Sequence, residues 1–146
     1  MKIDINKKVY FFSQSLNARF KDKTKFKNFV NYLLKNEGKN IALITFIFCS
    51  DEELRKLNND FLNHNYYTDI LTFDLSDSKF EITADIFISI DRVKENSKLI
   101  NISFSKELHR VMIHGLLHLC GYKDKKKYDI EKIRATENKY LSKYFK

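Results

Sequence analysis

The sequence predicts an α+β fold: one domain over residues 1–146, with about four strands in a mixed sheet, helices packed against it, and a metal-binding helix near the C-terminal third. Three observations carry that expectation. A chain of 146 residues that is 43% apolar and 32% charged can bury one core and is too apolar to stay disordered. It holds no proline, only three glycines and no serine-rich run, so nothing reads as a linker, and no internal repeat is present. Its apolar periodicity gives elements in the order β α β α β β α α α.

Each element has its own signal. Lys2 to Phe12 mixes alternation with charge and reads as a strand. Phe26, Phe29, Val30, Leu33 and Leu34 recur at i, i+3, i+4, i+7 and i+8, so a helix is expected from a cap at Thr24 to near Gly38. Asn40 to Cys49 (NIALITFIFC) is short, β-branched and apolar nearly throughout, the pattern of a strand covered on both faces. Ser50 with Glu53 forms a capping box, and Leu54, Leu57 and Phe61 continue that helix until NHNYY (residues 63–67) breaks it. Ile70 to Phe73 and Phe80 to Ser89 are strands separated by a turn at Asp74 to Ser78, and a short helix runs from Asp91 to about Ser97. Ser103 and Ser105 can cap a helix that reaches Cys120 and stops at Gly121. Ile130, Ile133, Tyr140, Leu141 and Tyr144 close the chain with a lysine-rich amphipathic helix.

Composition narrows the function classes. The two cysteines, Cys49 and Cys120, lie inside apolar runs and give no disulfide framework, which suits a reducing compartment. The longest apolar stretch is too short to cross a bilayer, no membrane association is expected, and MKIDINKK lacks the apolar core of a signal peptide, so a cytoplasmic location is expected. Charge is unevenly spread. Residues 1–40 carry net +7, residues 41–120 net −4 and residues 121–146 net +5. With a pI near 9.4, such lysine-rich ends suit a polyanionic partner, RNA or DNA, although they also serve simply as solvated helix faces.

The segment HGLLHLCGYKD (residues 114–124) carries the chemistry. Histidines at i and i+4 lie on one helix face, roughly 5 to 6 Å apart at Cβ, so His114 and His118 can chelate one divalent ion without backbone movement. Gly121 then lets the chain reverse and return Asp124 as a third ligand, leaving one position for water, the arrangement of a catalytic metal site. Gly115 directly follows the first ligand, where a missing side chain would open room beside the metal for substrate or backbone to approach. The offsets 0, +4, +7 and +10 match the extended zinc-protease motif, but the glutamate that acts there as general base would occupy position 115, so peptide hydrolysis by that route is disfavoured. His109 is rotated about 140° from His114 and is expected to face solvent or another element. His64 lies in a polar turn, and burial is the expected use of Cys120.

Those residues carry a family resemblance. HGLLHLCGYKD resembles HGxLHLxGYDH, the signature of the YbeY family of bacterial rRNA maturation factors, described as metal-dependent, single-strand-specific endoribonucleases. LNNDFLNHNYYTDILTF (residues 57–73) is similar to that family's LN...TDVLSF segment, and ADIFIS (residues 84–89) to its GDIxIS strand. The likeness runs from about residue 41 to 146. It implies one zinc ion per chain bound by His114, His118 and position 124, cleavage of single-stranded RNA by metal-activated water, 3′-end processing of 16S rRNA on the small ribosomal subunit, and ribosome quality control.

Two departures from the pattern matter. Asp124 stands where the family has a third histidine, which lowers the net charge of a loaded site from +2 to +1; its water would be less acid and oxygen-preferring ions such as manganese better tolerated. Leu62 aligns with a frequent family arginine, so that phosphate contact has to come from elsewhere. Lys21, Lys23, Lys25 and Lys27 on one side, and Lys123, Lys125, Lys126 and Lys127 on the other, are candidates to hold phosphates. Tyr66 and Tyr67 either stack bases or pack at a rim, and Asp69 and Asp85 either touch the site or tie down a loop. A non-catalytic ribosome-assembly factor with a structural metal, and a zinc peptidase with a displaced base, are the competing functions.

Overall fold

The computed structural model describes residues 8–14 and 20–146. Its elements run β1 (Val9–Ser13), α1 (Lys23–Asn36), β2 (Asn40–Cys49), α2 (Asp51–Leu62), β3 (Ile70–Asp74), β4 (Glu81–Ser89), α3 (Ile90–Leu99), α4 (Phe104–Leu119) and α5 (Lys127–Tyr144), the expected order. The four strands form one mixed sheet in the order β1-β2-β4-β3. β1, β2 and β4 are parallel; β3 lies antiparallel on β4 at the edge. The fold is therefore the α+β, four-stranded arrangement that the periodicity implies. Among the described residues, no helix is long and apolar enough to cross a membrane.

Side-chain alternation divides the sheet between two layers. On β4, Ile82, Ala84, Ile86 and Ile88 enter the main core with Phe26, Val30, Leu33 and Leu34 of α1 and Met112, Ile113, Leu116 and Leu117 of α4. On the other face, Cys49, Leu54 and Leu71 form a smaller cluster, with Leu57, Phe73 and Phe87 packed against it. Helix α4 is the central element: it packs on β3, β4, α3 and α5 and buries residues on nearly every side. A Leu116→Ala change would cost about 2–5 kcal/mol, because such a site cannot collapse around the void.

Several boundaries differ from expectation. The first strand is Val9–Ser13, and residues 1–7 of the expected strand lie outside the described residues. Thr24 does not cap α1: the cap lies two residues earlier, at Asp22, which is in left-handed conformation with no side-chain cap bond, and the helix opens at Lys23. The Ser50–Glu53 capping box forms on α2, and the Asp74–Ser78 turn closes through side chains, Ser76 N–H donating to Asp74 Oδ1 and Ser78 Oγ accepting from two amides. Helix α3 extends beyond the expected Asp91–Ser97 at both ends. Phe61 and Ile130 fit helical periods yet are exposed, Phe61 touching only the rim of the small cluster through Phe73.

Candidate metal centre

The C-terminus of α4 ends in a Schellman motif. Gly121 adopts φ +98, its N–H reaches the His118 carbonyl, and the Tyr122 N–H reaches Leu117. Glycine, having no Cβ, adopts that φ without strain, and the resulting reversal returns Asp124 to the helix face that carries His114 and His118. The three groups border a cleft of about 430 Å³ whose opposite wall is Leu62, Thr68, Asp69 and β3.

One ligand atom from each of His114, His118 and Asp124 lies within 4.8 Å of the others. His118 Nε2 is 2.9 Å from His114 Nε2 and 3.2 Å from Asp124 Oδ2, and His114 Nε2 is 3.5 Å from the same oxygen. Tautomers follow from what the remaining ring nitrogens touch. His114 Nδ1–H donates to Glu137 Oε2 at 2.5 Å, and His118 Nδ1–H donates to the Tyr122 carbonyl at 2.9 Å. Both Nε2 atoms therefore offer lone pairs, and with the carboxylate oxygen they form three acceptors crowded together with no donor among them. Such a set needs a cation or a proton. Tetrahedral bonds of about 2.0–2.2 Å hold ligand atoms about 3.3–3.6 Å apart, so the observed spacing suits a small divalent ion after shifts of a few tenths of an ångström.

Behind His114 lies a buried charge network. Glu137 is only 1% exposed, and its carboxylate accepts from Arg110 as well as His114; Arg110 also pairs with Glu107, which is fully buried. Burial alone would push the His114 pKa down, but the Glu137 hydrogen bond and charge, with Asp124 and Asp69 adding to them, raise it above 6.5. Burial likewise opposes the Glu137 charge, and His114, Arg110 and Arg134 outweigh it, holding that carboxyl below 4.5. A carboxylate on the distal nitrogen fixes the ring and strengthens the other nitrogen as a donor to metal.

At Gly115 the space is taken by the protein itself, which decides against the substrate alternative. A Cβ there would meet Ile70 Cδ1 at 2.8 Å, Thr72 Oγ1 at 3.3 Å and Ile86 Cγ2 at 3.4 Å. The missing side chain admits the sheet, not a substrate: α4 can lie close on β3 and β4 only because residue 115 has no side chain. The other candidates separate clearly. His109 is buried among Phe20, Phe26 and Tyr144, one of the two environments expected. His64 stacks on Tyr66 in the exposed loop, away from the cleft lining. Tyr67 lies between the guanidinium groups of Arg55 and Arg92, 5.6 and 5.1 Å from its ring centre. Asp69 lines the cleft, and its carbonyl also ties the loop to Ser89 N–H of β4. Asp85 is half-buried on β4 opposite Phe73 of β3. Burial pushes the thiols of Cys49 and Cys120 up to about 12, which fits packing and not catalysis.

With this geometry, the chain matches the family model described as "Endoribonuclease YbeY" over residues 10–145. A Cytophaga hutchinsonii protein named Endoribonuclease YbeY is 47% identical over 134 residues, 92% of this chain and 94% of that one. The chain belongs to the YbeY family. A Flavobacterium johnsoniae YbeY is 44% identical over 117 residues, covering 80% of this chain and 84% of its own. The solution structure of a Thermotoga maritima protein superposes with a TM-score of 0.61 at 26% identity, covering 94% of this chain and 89% of that one. Leu62 borders the cleft, so that wall presents an apolar side chain. Glu137 is not among the residues that the sequence motif singles out. It sits on the apolar stripe of α5 at the spacing Ile133, Glu137, Tyr140, Leu141 and Tyr144, and an acid in such a stripe is the signal that could have found it.

Proposed function

We propose that the chain is a metal-dependent, single-strand-specific endoribonuclease acting in rRNA maturation, with 16S rRNA on the small ribosomal subunit as substrate and zinc held by His114, His118 and Asp124. The single observation behind this reading is the convergence of three lone-pair acceptors at one end of an open cleft, each imidazole having its other nitrogen already committed. The names of the relatives supply the substrate class.

A divalent ion in this setting supplies Lewis-acid polarisation of a phosphate oxygen and a water of lowered pKa. The chain's own part is preorganisation. Glu137 and the Tyr122 carbonyl keep both Nδ1 protons, so both Nε2 atoms stay basic. The Asp124 carboxylate adds one negative charge and, being 44% exposed, sits at the solvent side of the set. Lys123, Lys125, Lys126 and Lys127 flank Asp124 in sequence and are exposed, which suits them to a phosphate backbone entering the cleft. Lys25 has a different neighbourhood: it covers the Tyr144 ring beside His109, about 14 Å along α4 from His118.

Purified protein of defined metal content tests the proposal on single-stranded RNA. The double change His114→Ala with His118→Ala is expected to abolish cleavage while RNA affinity stays unchanged. Cleavage that survives the double change rules out the metal nuclease. Loss of RNA binding along with cleavage favours an assembly factor with a structural metal, and casein turnover dependent on His114 would revive the peptidase.

A further inference from the structure

Tyr122 stands between the second and third members of the donor set and is held at both ends. Its carbonyl accepts His118 Nδ1–H, and its hydroxyl donates to Glu37 Oε1 at 2.8 Å, a contact spanning 85 residues of sequence. Glu37 caps the C-terminus of α1, and its other oxygen accepts the Tyr140 hydroxyl of α5 at 2.6 Å. Asn36 Nδ2 donates to that same Tyr140 oxygen at 2.8 Å. The Schellman bonds close the reversal and the Tyr122 ring packs on the core beneath Lys132, while Gly121, Lys123 and Asp124 are exposed, so Tyr122 is where this segment is anchored. The hydroxyl tether to Glu37 adds a directional contact to that packing.

We infer that Glu37 and the Tyr122 hydroxyl are positioning groups for the metal centre: by fixing residue 122 they fix the carbonyl that sets the His118 tautomer and ring plane, and the path on which Asp124 returns. This rests on the metal-centre reading above. The Tyr140 half of the clasp bonds to the other oxygen of the same carboxylate and makes no hydrogen bond to the metal-centre residues among the described contacts, so it is a built-in control for a purely structural role.

The test measures affinity for Co²⁺ by chelator competition, together with the visible spectrum of the bound ion, for the full chain and for Tyr122→Phe, Glu37→Ala and Tyr140→Phe. Tyr122→Phe and Glu37→Ala are each expected to weaken binding about tenfold or more and to alter the spectrum, as changes to groups that orient ligands do. The two combined should be no weaker than Glu37→Ala alone, since they remove one shared contact. Tyr140→Phe should lower the melting temperature while affinity stays within about twofold. Unchanged affinity in both Tyr122→Phe and Glu37→Ala overturns the inference, as does a Tyr140→Phe loss equal to that of Tyr122→Phe. Wild-type protein that takes up no Co²⁺ overturns the metal-centre reading and the clasp with it.

Discussion

Replacing Gly115 by alanine sets two effects of known size against each other. Alanine gains about 1 kcal/mol over glycine in a helix interior. The added methyl would lie 2.8 Å from Ile70 Cδ1 and 3.3 Å from Thr72 Oγ1, inside ordinary contact distance, and overpacking of this kind costs about 1–3 kcal/mol. Ile70 Cδ1 is the end of a flexible side chain and can turn aside, but Thr72 belongs to β3, which is held on β4 by its ladder. The net expectation is a loss of about 1 kcal/mol for Gly115→Ala and at least about 3 kcal/mol for Gly115→Val, which adds two further methyl groups to the same gap. In a chain of this size that is a drop of about 2–4 °C in Tm per kcal/mol, read by urea unfolding and calorimetry. Metal affinity of Gly115→Ala should stay near wild type, because the methyl meets the sheet and not the donor set. An alanine variant about 1 kcal/mol more stable than wild type would show the propensity gain unopposed and refute the contact. Unchanged stability with lost metal binding would restore the sequence expectation of open room beside the metal.

Three further outcomes follow from the same geometry. Glu137→Gln removes the charge behind His114 and should weaken metal binding about 10–100-fold, measured by zinc titration; unaltered affinity would exclude an orienting role. Burial holds the His109 pKa below 6.5, with the Ser105 carbonyl only partly offsetting that, and its Nε2 has no hydrogen-bond partner among the described residues. The unfolded chain therefore takes up that proton first: the stabilising contribution is full above pH 6.5 and is lost as pH falls below it, with a slope of up to about 1.4 kcal/mol per pH unit. Urea unfolding at pH 7.5 and pH 5 should show a smaller acid loss in His109→Phe than in wild type, and equal losses would contradict the assignment. Asp124→His raises the net charge of a loaded site from +1 to +2, so the pH optimum of RNA cleavage should fall and support by manganese should weaken; an unmoved pH profile and metal content would count against Asp124 as a ligand.

Elements whose cause is local were legible in the sequence. Asn40–Cys49 is a strand at the residues expected, because a short β-branched apolar run has no helical alternative that buries it as well. The Ser50–Glu53 box and the Ser103 cap need only a three-residue spacing, and the Gly121 reversal needs only a residue that tolerates positive φ. Much the same holds for the donor set, since the i, i+4 pair is spaced by helix geometry and the carboxylate is returned by the glycine reversal that follows the helix. The start of α1 escaped because its cap is a backbone conformation at Asp22 with no side-chain signature.

What surrounds the donor set is of another kind. Glu137, Glu37 and the wall of β3 reach the site across gaps of 23 or more residues, and their positions depend on how α1, α4, α5 and the sheet pack together. Periodicity states which face of a helix is buried but not what lies opposite it. For that reason the pattern HxxxHxxGxxD was sufficient to name three candidate ligands, whereas only the packed helices and sheet decided which carboxylate orients His114 and what Gly115 makes room for.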